Sequence, residues 1–440
     1  MVPRRQRTDE PIVIDTSLPP SLWADTAMPT EDHPALEGDA ETDVAIVGGG
    51  FTGLSAALHL TARGVKPLVL EAAEAGWGAS GRNGGQVIPG LKYDPRELER
   101  MFGTETGGRI AEAAGSAADL VFDLIAKHAI DCDAAQTGWI QPAHAKAHLK
   151  DVHARVEDWK RRGAPVDILD RDQTAALVGT DVYAGGWIDR RAGTVQPLSY
   201  ARGLARAAAS NGAVIHALTK VTGLTRVGDR WRLDTPKGSV TARAVLLATN
   251  GYTDGLWPGL RKTVIPLYSM QIATRPLSEN LRRSILPEGQ AASDTYRLLT
   301  YFRTDAAGRL LIGGRGPFKD RPDVADTAPL RKVMHSLFPR LGDIEFDFRW
   351  AGRVAVTTDH LPHLHELAPN LYAGLGYNGR GVAMATLMGR FLAELATGAD
   401  PKDVPFPMTR PKQIPLHFLR RPMLMAMVQA YRLRDRLDRI

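Results

Sequence analysis

A single cysteine, Cys132, among 440 residues excludes an internal disulfide and fits a reducing compartment. Asp131 and Asp133 flank it and oppose thiolate formation, so a catalytic thiol is not expected there. No window holds 18 uncharged apolar residues, and the basic N-terminus MVPRRQRTDE is not followed by the apolar stretch of a secretory signal. Neither a spanning helix nor a leader is expected, and the expected location is the cytoplasm. The 55 basic residues face 49 acidic ones and are dispersed along the chain, so a net charge of +6 does not by itself point to nucleic acid. His360, His363 and His365 stand close together beside Pro362 but lack the helical H-E-x-x-H frame, and no metal site is expected.

What is present is an ordinary globular composition, 44% hydrophobic and 24% charged, on a chain long enough for two domains. The organising stretch is TDVAIVGGGFTGLSAALHLTARGVKPLVLE, Thr42 to Glu71. Asp43 to Val47 reads as a buried parallel strand, and Gly48, Gly49, Gly50, Phe51, Thr52 and Gly53 satisfy G-x-G-x-x-G. Leu54, Ala57, Leu58 and Thr61 then mark one face of a helix, Gly64 ends it, and Pro67 to Leu70 reads as a second strand ending on Glu71. This order suits a dinucleotide. Gly48 permits the turn, Gly50 lets backbone approach a pyrophosphate at the helix N-terminus, and Gly53 lets helix pack on strand. A carboxylate at Glu71 accepts ribose hydroxyls and disfavours a 2′-phosphate.

Further glycine-rich stretches accompany the first. Ala79, Ser80, Gly81, Arg82, Asn83, Gly84, Gly85 and Gln86 offer small side chains, free amides and one guanidinium, suited to a phosphate and a flat ring. Arg243 to Tyr252 reads as a third buried strand running into Thr249, Asn250 and Gly251, where open α/β sheets bind ligands. Leu371 to Leu375 is a fourth strand, followed by Gly376, Tyr377, Asn378, Gly379, Arg380 and Gly381 and a helix from Val382 to Leu395. Between them, Val264 to Thr274, Tyr296 to Thr304 and Arg309 to Gly313 are strand-like, with a hairpin turn at Asp305 to Gly308. Candidate pocket residues from this region and the glycine loop are Tyr268, Met270, Tyr301, Arg303, Trp350, Arg353, Tyr377 and Asn378.

The strand, glycine loop, Glu71 and the GASGRNGGQV segment resemble the D-amino-acid oxidase (DAO) superfamily of FAD-dependent amine oxidoreductases, and within it the γ-glutamylputrescine oxidoreductases, with glycine and sarcosine oxidases more distant. The resemblance implies an α/β fold: a Rossmann-like, DAO-type FAD-binding domain with an inserted β-rich substrate domain. The expected division is an arm (1–40), FAD-binding segments (41–92, 181–262, 351–412), a mainly helical segment on the substrate side (93–180), a β-rich substrate domain (263–350) and an amphipathic tail (413–440). The tail, LRRPMLMAMVQAYRLRDRLDRI, is expected to pack on the body rather than lie on a membrane. The resemblance also implies that the backbone at Val221 meets the adenine, that Gly352 joins the cofactor contacts, and that the Gly376 loop meets the flavin ring. Sarcosine oxidases carry a lysine just after their matching glycine, whereas this chain has Val382 and Ala383.

The implied activity is oxidation of a C–N bond of a small amine or amino acid, by hydride transfer to flavin N5, giving an imine that hydrolyses. FAD is expected to be held non-covalently, with the chemistry carried by the flavin and no dedicated catalytic base. The acceptor, O2 or another, and the oligomeric state are open. Two other readings stand beside it: an NAD-dependent dehydrogenase using the Gly48 motif alone, and a tRNA-modifying flavoprotein of the same superfamily, against which the dispersed arginines weigh.

Overall fold

The computed structural model describes residues 15–316 and 327–438. The first 14 residues of the expected arm, and the last two of the tail, lie outside them.

A nine-stranded sheet carries the glycine loops. Its centre is parallel, in the order Leu371–Leu375, Gly238–Leu247, Gly38–Val47, Leu68–Leu70, Val214–His216. Ala45 stands opposite both Val245 and Leu68, so the carboxyl ends of the central strands align. These strands read as continuous apolar runs because both faces are covered. The inner half of Gly38–Val47 is fully buried, while its outer half alternates where a hairpin, Gly223–Val227 and Arg230–Thr235, extends the sheet over Gly238–Leu247. The helix Phe51–Thr61 was expected to bury one stripe, yet nine of its eleven residues are buried. It lies between the sheet and the helices Pro197–Ser210 and Gly381–Ala396, and a one-stripe pattern describes only a helix with solvent on its other side. Gly389 makes this packing feasible, because a Cβ there would come within 2.5 Å of Thr52 O.

An eight-stranded sheet forms the second layer, in the order Phe346–Val356, Ile265–Pro276, Arg309–Arg315, Tyr301–Thr304, Ala291–Ser293, Trp139–Pro142, Gly186–Asp189, Val166–Leu169. Three of its strands come from residues 139–189. The segment at 93–180 is therefore not helical throughout, and Gly186–Asp189, expected on the cofactor side, pairs here instead. Phe346–Val356 runs without a break across the boundary expected at 350.

The arm docks through the short helix Leu22–Thr26, capped by Ser21 Oγ, with Leu22 and Trp23 fully buried. Trp23 packs edge-on against Trp350 at 5.7 Å, and its Nε1 donates to Asn83 O at 2.7 Å. The helix Arg420–Leu437 sets Leu424, Val428 and Asp435 against the body, with Asp435 paired to Arg297 at 2.8 Å. Met423, Met425, Leu433 and Leu437 face outward. No helix among the described residues is long and apolar enough to cross a membrane.

Candidate active site

The strand Gly38–Val47 ends on Gly48 at φ +107°, a conformation that favours glycine. Gly50 caps the next helix, and a Cβ on it would lie 2.9 Å from Ser80 Oγ; one on Gly53 would lie 2.0 Å from Gly48 O. The motif's three glycines thus serve a turn, a close approach of the 79–86 loop, and helix-on-strand packing. The first-turn amide of Phe51 donates to Ser80 Oγ at 2.9 Å. Glu71 Oε2 accepts Gly49 N at 2.6 Å and Oε1 accepts Ala73 N at 2.9 Å. Burial pushes this carboxyl above its ordinary range, while the amides of Ala73 and Gly49 pull it back.

These groups open into a cavity of about 1660 Å³. Gly48, Gly50, Phe51, Thr52 and Glu71 line it together with Val221, Thr249, Asn250 and Gly251. Ala79, Ser80, Arg82 and Asn83 line it too, as do Gly352, Gly379 and Gly381. Of the candidate pocket residues, Tyr268, Trp350, Arg353, Tyr377 and Asn378 line it as well. Arg353 Nε donates to Tyr268 Oη at 3.1 Å, and Trp350 Nε1 donates to Arg82 O at 3.1 Å. Tyr377 Oη lies 2.7 Å from Thr52 Oγ1, tying the last glycine loop to the first. Asn250 Oδ1 accepts Gly376 N at 2.9 Å, and Asn378 Oδ1 accepts Thr357 N at 2.9 Å, so both asparagines fix turns.

Other candidates stand behind the lining. Met270 is packed in the core of the second sheet. Tyr301 is half-buried, its Oη 2.8 Å from Ser269 Oγ and its ionisation pushed up by burial. Arg303 is 3% exposed and donates to Gly85 O at 2.9 Å and Val195 O at 2.7 Å, so it is a clamp rather than a pocket residue. Burial lowers it to about 10. Gly53, Gly81, Gly84, Gly85, Gln86 and Gly376 form the framework: Gln86 Nε2, for example, donates to Ala292 O and Phe302 O across the two layers.

Arg380 departs most from expectation. Its half-buried side chain is not part of the cavity lining and sets its guanidinium 4.9 Å from the centre of the Trp139 ring. Nη1 is enclosed and has no hydrogen-bond partner. Burial, and then the charge of Arg155, lower it to about 10. The nearby carboxylates are committed elsewhere, Asp94 to Arg155 at 2.6 Å and Asp189 to Arg191 at 2.6 Å.

Sequence reasoning missed Asp15 and Ser17 to Ser21 of the arm, Trp77 and Tyr252, which also line the cavity. Trp77 Nε1 donates to Ser17 O at 2.8 Å, so a tryptophan in a glycine-rich loop was the available signal. Of the close histidines, His363 meets Asp359 at 3.1 Å and His365 Nδ1 meets Thr409 O at 3.0 Å, and their rings stack 5.5 Å apart. Among the described residues, the metal-compatible group is a different one, His144, His148 and Asp438.

Comparison with known proteins fits this geometry. The DAO family, described as FAD dependent oxidoreductase, matches residues 43–395. The chain is 34% identical to the γ-glutamylputrescine oxidoreductase of Escherichia coli strain K12 over 429 residues, 95% of this chain and 98% of that one. It is 25% identical to the glycine oxidase of Geobacillus kaustophilus strain HTA426 over 380 residues, 84% of this chain and 97% of that one. The crystal structure of glycine oxidase from Geobacillus kaustophilus superposes with a TM-score of 0.71 at 24% identity, covering 84% of this chain and 99% of that one. The fold and the family match therefore agree, and the chain belongs to the DAO family of FAD-dependent oxidoreductases.

Proposed function

We propose that this enzyme oxidises the C–N bond of a small amine or amino acid, with FAD held non-covalently. The observation that carries the reading is one continuous cavity lined by Gly48, Gly50, Phe51, Thr52 and Glu71 and also by Gly379 and Gly381. Pockets for drug-sized ligands span roughly 300–1,000 Å³, and this one is larger, as an extended dinucleotide requires. The amides of the Phe51–Thr61 helix take the pyrophosphate, and Glu71 takes the ribose hydroxyls.

Bound FAD supplies a two-electron acceptor for the hydrogen on the carbon bearing the amine. The chain supplies position and charge. The Gly381–Ala396 helix turns its N-terminus to the cavity, and its free amides and dipole favour negative charge developing there by ~0.3–2 kcal/mol. Trp350 and Tyr252 supply apolar ring surface to the cavity wall. Cys132 is no candidate for a covalent link: it is buried away from the lining and its thiol is pushed up to about 12 by burial.

Arg380 narrows the substrate. Arg380 is half-buried and its enclosed Nη1 has no hydrogen-bond partner, so a nearby anion would stabilise its charge. Arg380 stands outside the cavity lining, but Gly379 and Gly381 on either side of it belong to that lining, and we infer that its side chain turns inward to a substrate that carries a carboxylate besides its amine. The named substrates of the two relatives, a γ-glutamyl conjugate and glycine, both do. Arg380→Met is expected to raise KM for such substrates about 10-fold or more, with Arg380→Lys partly restoring it, while amines lacking a carboxylate change little. Equal changes for both classes would remove Arg380 from substrate recognition. Release of unmodified FAD on denaturation, and bleaching of the flavin band by amines without oxygen, test the reaction itself.

A further inference from the structure

His144 and His148 follow the strand Trp139–Pro142, one on the loop after it and the other ending the turn Lys146–His148. Their rings lie 4.5 Å apart. Asp438, just beyond the Arg420–Leu437 helix, brings its Oδ2 to 3.3 Å from His148 Nε2 across 290 residues of sequence. One ligand atom from each of the three residues falls within 4.8 Å of the others. Tetrahedral bonds of about 2.0–2.1 Å would set donors about 3.4 Å apart, so small side-chain movements close the set.

The surroundings are those of a ligand set. His144 is buried and its ring is stacked on Tyr296 at 3.9 Å. Its Nδ1 is 2.7 Å from Thr295 Oγ1, the kind of contact that fixes the tautomer and orientation of a ligating imidazole. The charge also suits. Arg297 bridges Asp435 at 2.8 Å and Asp438 at 2.5 Å, so two carboxylates meet one guanidinium, and the cluster is net negative with neutral imidazoles. Asp435 can keep Arg297 while Asp438 turns to a cation. Two imidazoles and one carboxylate select a borderline divalent ion over Ca²⁺ or Mg²⁺, which prefer oxygen ligands, and water fills the fourth position.

We propose that His144, His148 and Asp438 bind a divalent transition ion of the Zn²⁺ class that clips the C-terminal helix onto the second sheet. The site is separate from the cofactor cavity and the inference does not depend on the substrate reading.

Full-length holoenzyme is treated with chelator and titrated with Zn²⁺ by calorimetry, and in parallel with Co²⁺ by absorption at wavelengths longer than the flavin band. One equivalent is expected to bind, with cobalt bands of tetrahedral intensity and a melting temperature that rises with added Zn²⁺. His148→Ala and Asp438→Asn are expected each to weaken binding by about tenfold or more, with FAD content and amine oxidation unchanged. Both side chains are partly exposed, so neither change threatens the fold. The proposal is overturned if wild type binds no stoichiometric ion, or if both variants bind it as wild type does.

Discussion

Substituting Glu71 by glutamine replaces one carboxylate oxygen with an amide NH₂ at a place where both oxygens already accept backbone amides, Gly49 N at 2.6 Å and Ala73 N at 2.9 Å. One amide then faces a donor and is left unsatisfied, and the ribose hydroxyls lose a charged acceptor. A buried donor without a partner costs about 1–3 kcal/mol, and hydrogen bonds to charged groups are worth a similar amount. At 1.4 kcal/mol per tenfold, FAD affinity is expected to fall roughly five- to 150-fold. Titrating apoprotein with FAD and following quenching of flavin fluorescence measures it. The pH dependence gives a second signature. Burial holds the Glu71 carboxyl above its ordinary range in the ligand-free protein, and donating hydroxyls favour its ionised form. FAD binding therefore releases a proton, so wild-type affinity should rise as pH rises through the carboxyl's range, whereas the glutamine variant should lack that dependence. Wild-type affinity in the variant, with the same pH profile, would refute the assignment of Glu71 to the ribose.

Other perturbations test other parts of the account. A Cβ at Gly379 or Gly381 meets no protein atom, so alanine at either should slow flavin reduction by amine in rapid-mixing experiments while much of the FAD affinity remains; Gly379, at φ +89°, adds ~1–2 kcal/mol of backbone strain that Gly381 does not. Unaltered reduction rates in both variants would leave the loop as a helix cap only. His59 and His365 are each lowered from 6.5 to about 4, chiefly by burial, so the native state holds them neutral. Their contribution is present above pH 6.5 and lost as pH falls toward 4, by at most roughly 3 kcal/mol each. Urea melts at pH 7 and pH 4.5 should show the loss, and His59→Gln should reduce it; an identical loss in the variant would exonerate His59. Acid precipitation should release all flavin into the supernatant, and colour retained on the chain would contradict non-covalent binding. Arg303→Met should destabilise by ~3–5 kcal/mol in denaturant melts, because two buried carbonyls lose their donor. A stable variant with altered substrate preference would return Arg303 to the pocket.

The parts legible from the sequence were those written locally. Gly50 and Gly53 answer to atoms within one strand–loop–helix unit or to the loop just after it, and Glu71 closes that unit, whereas Gly48 also backs onto Ala248 of a distant strand. The second sheet was half visible: its hairpin at Asp305–Gly308 announces itself, but the pairing of Trp139–Pro142 with Ala291–Ser293 depends on register between distant segments. Tyr268 and Met270 share one face of a strand, so alternation could not tell that Tyr268 lines the cavity and Met270 does not, nor that Tyr301 and Arg303 stay out of the lining. Arg380 was ambiguous for a related reason. Its backbone position at a helix N-terminus is local, whereas the Trp139 ring that receives its guanidinium comes from 241 residues earlier in another layer. The His144–His148–Asp438 group was invisible because its carboxylate arrives on the C-terminal helix.

The central claim, amine oxidation on FAD bound in the Gly48-to-Gly381 cavity, is tested most directly by anaerobic spectrophotometric titration of the purified protein with glycine, sarcosine and γ-glutamylputrescine. The account predicts a yellow protein whose flavin band is bleached by at least one of these carboxylate-bearing amines and restored by an added electron acceptor. A colourless preparation that cannot be loaded with FAD, or a flavin band that NADH bleaches and no amine does, would contradict it.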